Sequence, residues 1–212
     1  TIDENDPNDA EVGVDPEMLG KIFENLLEDN KDKGAFYTPK EIVQYMCNES
    51  LIAYLQTKVP NHDDEIRQFV LDAERKDVLE TNMLLNAIKE VKICDPAIGS
   101  GAFPMGLLNL LVALREKLES STQRVELKKS IIQNNIYGVD IEKGAIDIAR
   151  LRFWLSIMVD EEKPTPLPNF EYKFMQGNSL LTTFDLQYVD IKQAKQNVTI
   201  TKLLDDKKKE LL

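Results

Sequence analysis

Histidine occurs once in the 212 residues, cysteine twice and tryptophan once. With His62 isolated and Cys47 far from Cys94, a Cys/His metal site has no ligand set. The two cysteines read as free thiols of a cytoplasmic protein rather than a disulfide frame. No apolar stretch approaches the roughly 20 residues that span a bilayer, so no membrane is expected. The N-terminus is polar and acidic, which excludes a secretory signal peptide. Basic charge is also short: 26 Lys and Arg against 37 Asp and Glu leave a formal net charge of −11. That argues against these residues alone gripping a phosphate backbone, which needs clustered cations to release counterions. The one dense basic run, Lys207-Lys208-Lys209, reads as a solvated helix face. What is present, 42% hydrophobic and 30% charged residues, suits a soluble globular protein.

The chain divides by pattern, and no internal repeat is visible. Residues 1–14 are polar and aperiodic, as in a linker or frayed end. Asp15-Pro16-Glu17 opens a helix with Leu19, Ile22, Phe23, Leu26 and Leu27 on one face. Gly34-Ala35-Phe36-Tyr37-Thr38-Pro39-Lys40-Glu41 follows; Thr38 and Glu41 have capping-box spacing around Pro39. The helix beyond it is expected to turn Ile42, Tyr45, Met46 and Ile52 inward. Residues 59–64 read as a loop, and 66–90 as two helical pieces with Phe69, Val70, Leu84, Leu85 and Ile88 in the core. An α-helical region thus occupies 15–90.

From Val91 the period changes. Val91 to Cys94 reads as a short buried strand that ends at Asp95-Pro96, turns through Gly99 and Gly101, and opens a leucine-rich helix. That helix carries Leu107, Leu110, Leu111, Leu114 and Leu118. Residues 120–133 are polar and partly helical. A second strand, 136–141, ends at Asp140, and its helix carries Ile146, Ala149, Leu151, Trp154, Leu155 and Met158. A third strand is expected where Phe170, Tyr172 and Phe174 alternate with Glu171, Lys173 and Met175. The order strand–helix–strand–helix–strand predicts parallel strands through right-handed crossovers, with the third at an edge. The predicted fold class is α/β: three parallel strands of an incomplete Rossmann-like sheet over 91–184, preceded by the helical region. Residues 185–212 form a polar helical tail.

In such sheets ligands bind beyond the carboxyl ends of the strands. Three segments fall there: Asp95 to Phe103, Asp140-Ile141 and Asn178-Ser179. Glycines let a backbone approach a ligand, and the first N–H groups of the following helix point at it. Asp140 can accept both hydroxyls of a ribose; Ile141 can pack on a base, and Asn178 can read the edge of an adenine. Singly, a strand-ending Asp is more often a helix cap than a ribose ligand; jointly, the three describe a nucleoside site. The dinucleotide fingerprint fails, because Pro104 stands where its third glycine would be. Asp140 also lies about twice as far along as the roughly 20 residues that motif needs. The Gly-Lys-Ser/Thr phosphate loop is absent. A ligand with adenine and ribose but no phosphate fits: S-adenosylmethionine, its amino-acid end at the glycine turn.

The residues resemble the N6-adenine DNA methyltransferases, in particular the γ-ordered enzymes of type IIG restriction–modification proteins. Gly34 to Pro39 is similar to the block that folds over the methionine end of the cofactor. Asp95-Pro96-Ala97-Ile98-Gly99-Ser100-Gly101-Ala102-Phe103 resembles the Asp-Pro-Pro/Ala-x-Gly-Ser-Gly-x-Phe turn. Gly138-Val139-Asp140-Ile141, with Ala145, Ala149-Arg150-Leu151-Arg152 and Trp154-Leu155-Ser156, is similar to the ribose block and its helix; Gly177-Asn178-Ser179-Leu180 resembles the adenine block. The resemblance implies that Thr38, Asp95, Ala97, Gly99, Gly101 and Phe103 serve the methionine end, Asp140 the ribose, and Ile141 and Asn178 the adenine. Asn178 stands where many relatives have Asp.

The family's catalytic Asn/Asp-Pro-Pro-Tyr/Phe, which holds and stacks the flipped adenine, has no counterpart. Neither Asn-Pro-Pro nor Asp-Pro-Pro occurs, and Pro164, Pro166 and Pro168 are each separated by another residue. The chain is therefore expected to be the cofactor half of an adenine-specific methyltransferase, with no catalytic residue of its own. Double-stranded DNA would be the parent protein's partner, met mostly through other parts. The alternatives are a non-catalytic specificity or assembly module, or a domain for another nucleotide.

Overall fold

The computed structural model describes residues 38–72, 81–119, 123–161, 170 and 172–181, with the backbone of 183–184 and 187–188. The expected helix at 15–27, the Gly34–Tyr37 part of the first block and the tail from 189 lie outside the described residues. The chain separates into two compact units, residues 1–177 and 178–212.

In the first unit, α1 (Lys40–Lys58), α2 (Asp63–Asp72) and α3 (Thr81–Glu90) precede β1 (Ile93–Asp95). Then come α4 (Ala102–Leu118), α5 (Arg124–Asn134), β2 (Ile136–Asp140), α6 (Lys143–Met158) and β3 (Phe174–Gln176). The strands run parallel in the order β1-β2-β3, so β3 holds an edge of this sheet, as its pattern predicts. In register, Ile93 faces Ile136 and Asp95 faces Gly138, which in turn faces Phe174; Asp140 faces Gln176. Residues at these positions share one side of the sheet, and Cys94, Tyr137, Val139 and Met175 share the other.

One apolar cluster runs from Leu51 and Leu55 of α1, through Phe69 and Leu84, to Ile136, Phe153 and Phe174. Helices 40–90 and the sheet therefore share a core. Each fully buried Leu or Phe contributes about 1.5–3 kcal/mol to it. Asn135 joins the two parts. Its buried Nδ2 donates to the carbonyls of Lys89 (3.1 Å) and Val91 (2.8 Å), and its own carbonyl accepts from Ile93 N–H at 2.8 Å. The side chain thus satisfies the free end of α3 and starts β1 beside β2. Farther along, a Cβ on Gly106 would meet Val43 Cγ1 at 2.8 Å and Cys47 Sγ at 3.0 Å, so only glycine lets α1 cross α4 this closely.

Several expectations in this unit need correction. The Thr38/Glu41 box does not form: α1 begins at Lys40, and Pro39, extended at ψ 144°, is its cap, with no side-chain cap bond. Its carbonyl takes the Ile42 and Val43 N–H groups at 3.0 Å, which shifts Glu41 one place from where a box needs it. In consequence α1 buries Val43, Cys47, Leu51, Ile52 and Leu55, while Ile42, Tyr45 and Met46 are exposed. Second, α4 buries Met105, Leu108, Leu111, Val112 and Leu114, while Leu107, Leu110 and Leu118 are only half-buried. Nearly every position there is apolar, so leucine count does not identify the innermost side. Third, α6 turns Ala145, Ile146, Ala149, Arg152, Phe153, Ser156 and Ile157 inward, leaving Leu151, Trp154, Leu155 and Met158 half-buried. Its inner stripe contains a cation and a hydroxyl, which apolar counting skips.

Fourth, the third strand is shorter than its alternation suggests. Lys173 and Phe174 N–H both donate to the Phe170 carbonyl, at 2.9 and 3.0 Å, and Tyr172 and Lys173 lie in a turn. Phe170 and Phe174 are buried together, rings edge-on at 5.7 Å, because one turn of chain separates them. Cys94, placed by its pattern in a buried strand, is exposed.

In the second unit, β4 (Thr183–Phe184) and β5 (Gln187–Tyr188) pair antiparallel, so the tail expected to be helical from 185 contains a strand at 187–188. Asn178 opens this unit in a turn: its Oδ1 accepts the Leu180 N–H at 3.0 Å and its carbonyl the Leu181 N–H at 3.2 Å.

Candidate cofactor site

The site is built where β1 and β2 end. Beyond Asp95 the chain does not simply leave the sheet: Ile98 N–H donates to the Val139 carbonyl at 3.0 Å. The Ile98 side chain is buried directly over Gly138. A Cβ at Gly138 would lie 3.1 Å from Ile98 Cβ and Cγ1 and closer still to Cδ1. Gly138 is thus the hole that receives Ile98, and the pair seats the turn on β2.

From that seat the chain reverses through two left-handed residues, Gly99 (φ 54°) and Gly101 (φ 88°). Such angles cost an L side chain about 1–2 kcal/mol. The two glycines differ in surroundings. Nothing lies within 4 Å of where a Gly99 Cβ would be. At Gly101 the same atom would meet Ala149 Cβ at 3.4 Å and Phe153 Cε2 at 3.6 Å. Gly99 therefore presents backbone to open space, whereas Gly101 presents it to α6. The bonds Gly101 N–H to the Ile98 carbonyl (2.9 Å) and Met105 N–H to the Gly101 carbonyl (3.0 Å) close the turn and start α4. Ala102 and Phe103, the first residues of α4, have N–H groups with no helical acceptor.

Two carboxyl groups face this turn. Asp140 Oδ2 accepts the Gly99 N–H at 2.8 Å, and Oδ1 accepts the Glu142 N–H at 2.9 Å. Its expected partners were the hydroxyls of a ribose; here it ties the glycine turn to the end of β2. Each carboxylate oxygen has two lone pairs, so both retain one for a further donor. Asp95 Oδ1 accepts the Ala97 N–H at 3.0 Å. Burial pushes the Asp95 carboxyl above its ordinary range; the Ala97 bond opposes this, and the nearby Asp140 charge adds to it.

Of the other expected residues, Phe103 is half-buried and its carbonyl accepts from the Cys47 thiol at 3.5 Å. Ile141 is 68% exposed, just past β2, its carbonyl held by Gln176 Nε2 at 3.0 Å. Gly177 N–H donates to the Asp140 carbonyl at 2.8 Å, which brings the end of β3 level with the acid. Thr38 lies two residues before α1, and no hydrogen bond joins it to the turn among the described residues. Asn178 belongs to the second unit.

The residues that sequence reasoning left without a role are Ile98, Ser100, Gly138 and Arg152. Arg152 Nη1 reaches from α6 to the Ser100 carbonyl (2.9 Å) and Oγ (3.1 Å), and both residues are buried. The signals were present. Gly138 sits inside a strand, where glycine marks close approach. Arg152 falls on the stripe 145, 149, 152, 156, a helical face whose other residues, Ala145, Ala149 and Ser156, are all small.

Residues 71–164 match the family described as MmeI, DNA-methyltransferase domain, and residues 134–211 match the Eco57I restriction-modification methylase. A protein of Methanocaldococcus jannaschii, named as a type II restriction enzyme and methyltransferase, is 31% identical over 92% of the chain. The adenine-specific methyltransferase BrxX of Escherichia coli is 27% identical over 69% of it, and PglX of Lacticaseibacillus casei, named likewise, 22% over 68%. The chain spans 19%, 12% and 14% of the lengths of these three relatives. No described helix is long and apolar enough to cross a membrane. An Asp-Pro-Ala-x-Gly-Ser-Gly turn seated on a parallel sheet, with family matches that together run from 71 to 211, makes this chain a member of the DNA methyltransferases of restriction–modification systems.

Proposed function

We propose that the turn and the strand ends bind S-adenosylmethionine for methylation of the adenine N6 amine in double-stranded DNA, in the cytoplasm. The observation that carries this reading is the open side of Gly99, held by a carboxylate that keeps one acceptor site on each oxygen. The free N–H groups of Ala102 and Phe103 offer main-chain donors to the carboxylate of the methionine end. Ala97 and Gly99, whose N–H groups are taken by Asp95 and Asp140, shape the turn around it, Gly99 by its open side. Asp95 offers an acceptor to its ammonium. Asp140 accepts from the ribose while holding the turn, and the exposed Ile141 packs on the adenine face. Gly101 serves by conformation, since its free side is occupied by α6. Thr38 at the methionine end and Asn178 at the adenine edge rest on the family resemblance. When bound, the cofactor supplies an electrophilic methyl group on a sulfonium. The chain's own part is to bind and orient that donor. With no Asn-Pro-Pro or Asp-Pro-Pro to hold an acceptor amine, these 212 residues are not expected to transfer a methyl group by themselves.

Calorimetric titration with S-adenosylmethionine and, separately, NAD tests the site. Binding of the first and not the second is expected; binding of neither by folded protein sinks the reading, and preference for NAD replaces it. Asp140→Ala removes hydrogen bonds to a charged acceptor, each worth about 1.5–3 kcal/mol, and should weaken cofactor binding at least roughly tenfold. Because the same change frees the Gly99 and Glu142 N–H groups, Asp140→Asn, which keeps one acceptor oxygen, is the companion variant. Unchanged affinity in a folded Asp140→Ala protein refutes the ribose assignment. Label transfer from the donor to DNA by the 212 residues alone would refute the expected inactivity.

A further inference from the structure

We propose that Arg152 is a positioning residue for the methionine end of the donor site; this rests on the reading in which that site holds S-adenosylmethionine. Ser100 lies between the two left-handed glycines, so the orientation of its peptide groups decides where the turn's donors point. Three contacts fix that orientation. Asp140 Oδ2 takes the Gly99 N–H at 2.8 Å from the β2 side. Ile98 fills the hole at Gly138 beneath. From the α6 side, Arg152 Nη1 donates to both the carbonyl and the hydroxyl of Ser100, at 2.9 and 3.1 Å.

The Ser100 carbonyl and the Gly101 N–H belong to one rigid peptide plane. Drawing that carbonyl toward the guanidinium turns the Gly101 N–H the opposite way, where it bonds to the Ile98 carbonyl at 2.9 Å. The Ser100 carbonyl is thereby engaged by a cation instead of being left to repel the anionic end of the donor. Glycine imposes no preference between positive and negative φ, so a peptide flanked by Gly99 and Gly101 depends on such contacts for its orientation, and removing Arg152 weakens that hold. A guanidinium is well matched to this role, being always charged, and a single nitrogen here serves two acceptors on one residue. Phe153 and Ala149, its neighbours on α6, pack against Gly101, so one helix fixes the turn at two adjacent points. Arg152 acts on the amino-acid end alone; the ribose and adenine positions lie at the ends of β2 and β3.

That division supplies the test. The full chain, Arg152→Met and Arg152→Lys are titrated with S-adenosylmethionine and with methylthioadenosine, which has the nucleoside but no amino-acid end. Arg152→Met should weaken the first at least about tenfold, the scale of a lost charge-assisted bond, and leave the second unchanged. Arg152→Lys, which can restore one donor, should recover part of the loss for S-adenosylmethionine only. Equal losses for both ligands would make Arg152 a support of the fold and overturn the proposal, as would no loss for either. Should Arg152→Met fail to fold, Arg152→Lys carries the same comparison by itself. Failure of the unsubstituted chain to bind S-adenosylmethionine is a separate result and strikes the site reading itself.

Discussion

The two faces of the sheet are built from alternate residues of the same three short strands, yet among the described residues only one is closely packed. On the first, Phe174 stacks on Phe153 of α6 at 4.6 Å, Gly138 receives Ile98, and Ile136 is fully enclosed. On the second, Cys94 and Met175 are exposed, and the Lys173 ammonium lies 3.9 Å from the centre of the Tyr137 ring. Composition does not pick out the packed face: the first carries Asp95, Asp140 and Gln176 beside Ile136 and Phe174, whereas the second is Cys94, Tyr137, Val139 and Met175. Fit does: on the first face Ile136 and Phe174 are enclosed, and a strand glycine's missing side chain is the socket for a turn. The cofactor turn is thus a product of core packing on one face. Substitutions there should disturb stability and site together, while those opposite should disturb neither.

The largest break is expected from Phe153→Ala. This ring is fully buried and touches both Phe174 and the space beside Gly101, so its removal opens a cavity. A loss of about 3–5 kcal/mol is expected, read as a drop in the denaturant midpoint. Gly138→Ala comes next. Its methyl group would collide with Ile98, and overpacking of this kind costs about 1–3 kcal/mol. Cofactor affinity should fall with stability, because Ile98 carries the turn. If Gly138→Ala were as stable as the parent, the socket would be an accident of the chain path.

The glycines give the third comparison. Gly99→Ala and Gly101→Ala both place an L residue at positive φ and should each cost about 1–2 kcal/mol. Gly99→Ala, whose methyl group enters open space, should lose cofactor affinity beyond that backbone cost. Gly101→Ala, whose methyl group reaches only ordinary contact with Ala149, should lose affinity no more than its stability accounts for. A larger affinity loss at Gly101 would reverse the roles assigned to the two.

These comparisons show what is legible in the sequence. Strand order, parallel pairing, the glycine turn and, in α2 and α3, the core residues Phe69, Val70, Leu84 and Ile88 can be read, because each leaves a local mark such as a period or a φ that needs glycine. Leu85, expected with them, is only half-buried, and Ile66 and Ala87 are buried without having been expected. The inner face of a helix is not legible where the helix is apolar all round, as in α4, or polar within its buried stripe, as at Arg152 and Ser156. The third strand misleads because a turn can also bury every fourth aromatic. At the site, Asp140 is identified by position, but its bond to Gly99 N–H depends on how far the turn folds back over β2. Sequence puts Gly101 at the ligand because it shows that a glycine is needed, not which way the glycine's empty side faces.

Met175→Ser, on the open face, should change stability by no more than about 0.5 kcal/mol, as for surface substitutions generally. A loss above about 1.5 kcal/mol, outside that surface range, would mean that this face is packed after all. A still smaller disturbance uses the two native thiols and alters no residue. Cys94 lies on the open face, while Cys47 is enclosed between α1 and α4, and burial pushes its thiol up to about 11. Near pH 8 a thiol with that value holds roughly a hundredfold less thiolate than an ordinary cysteine. A disulfide reagent should therefore react with one sulfhydryl quickly and with the second only after denaturant is added. Cys94→Ser should remove the fast phase and Cys47→Ser leave it intact. Two fast thiols in native protein would show that the crossing of α1 over α4 opens readily, and with it the helix that the cofactor turn begins.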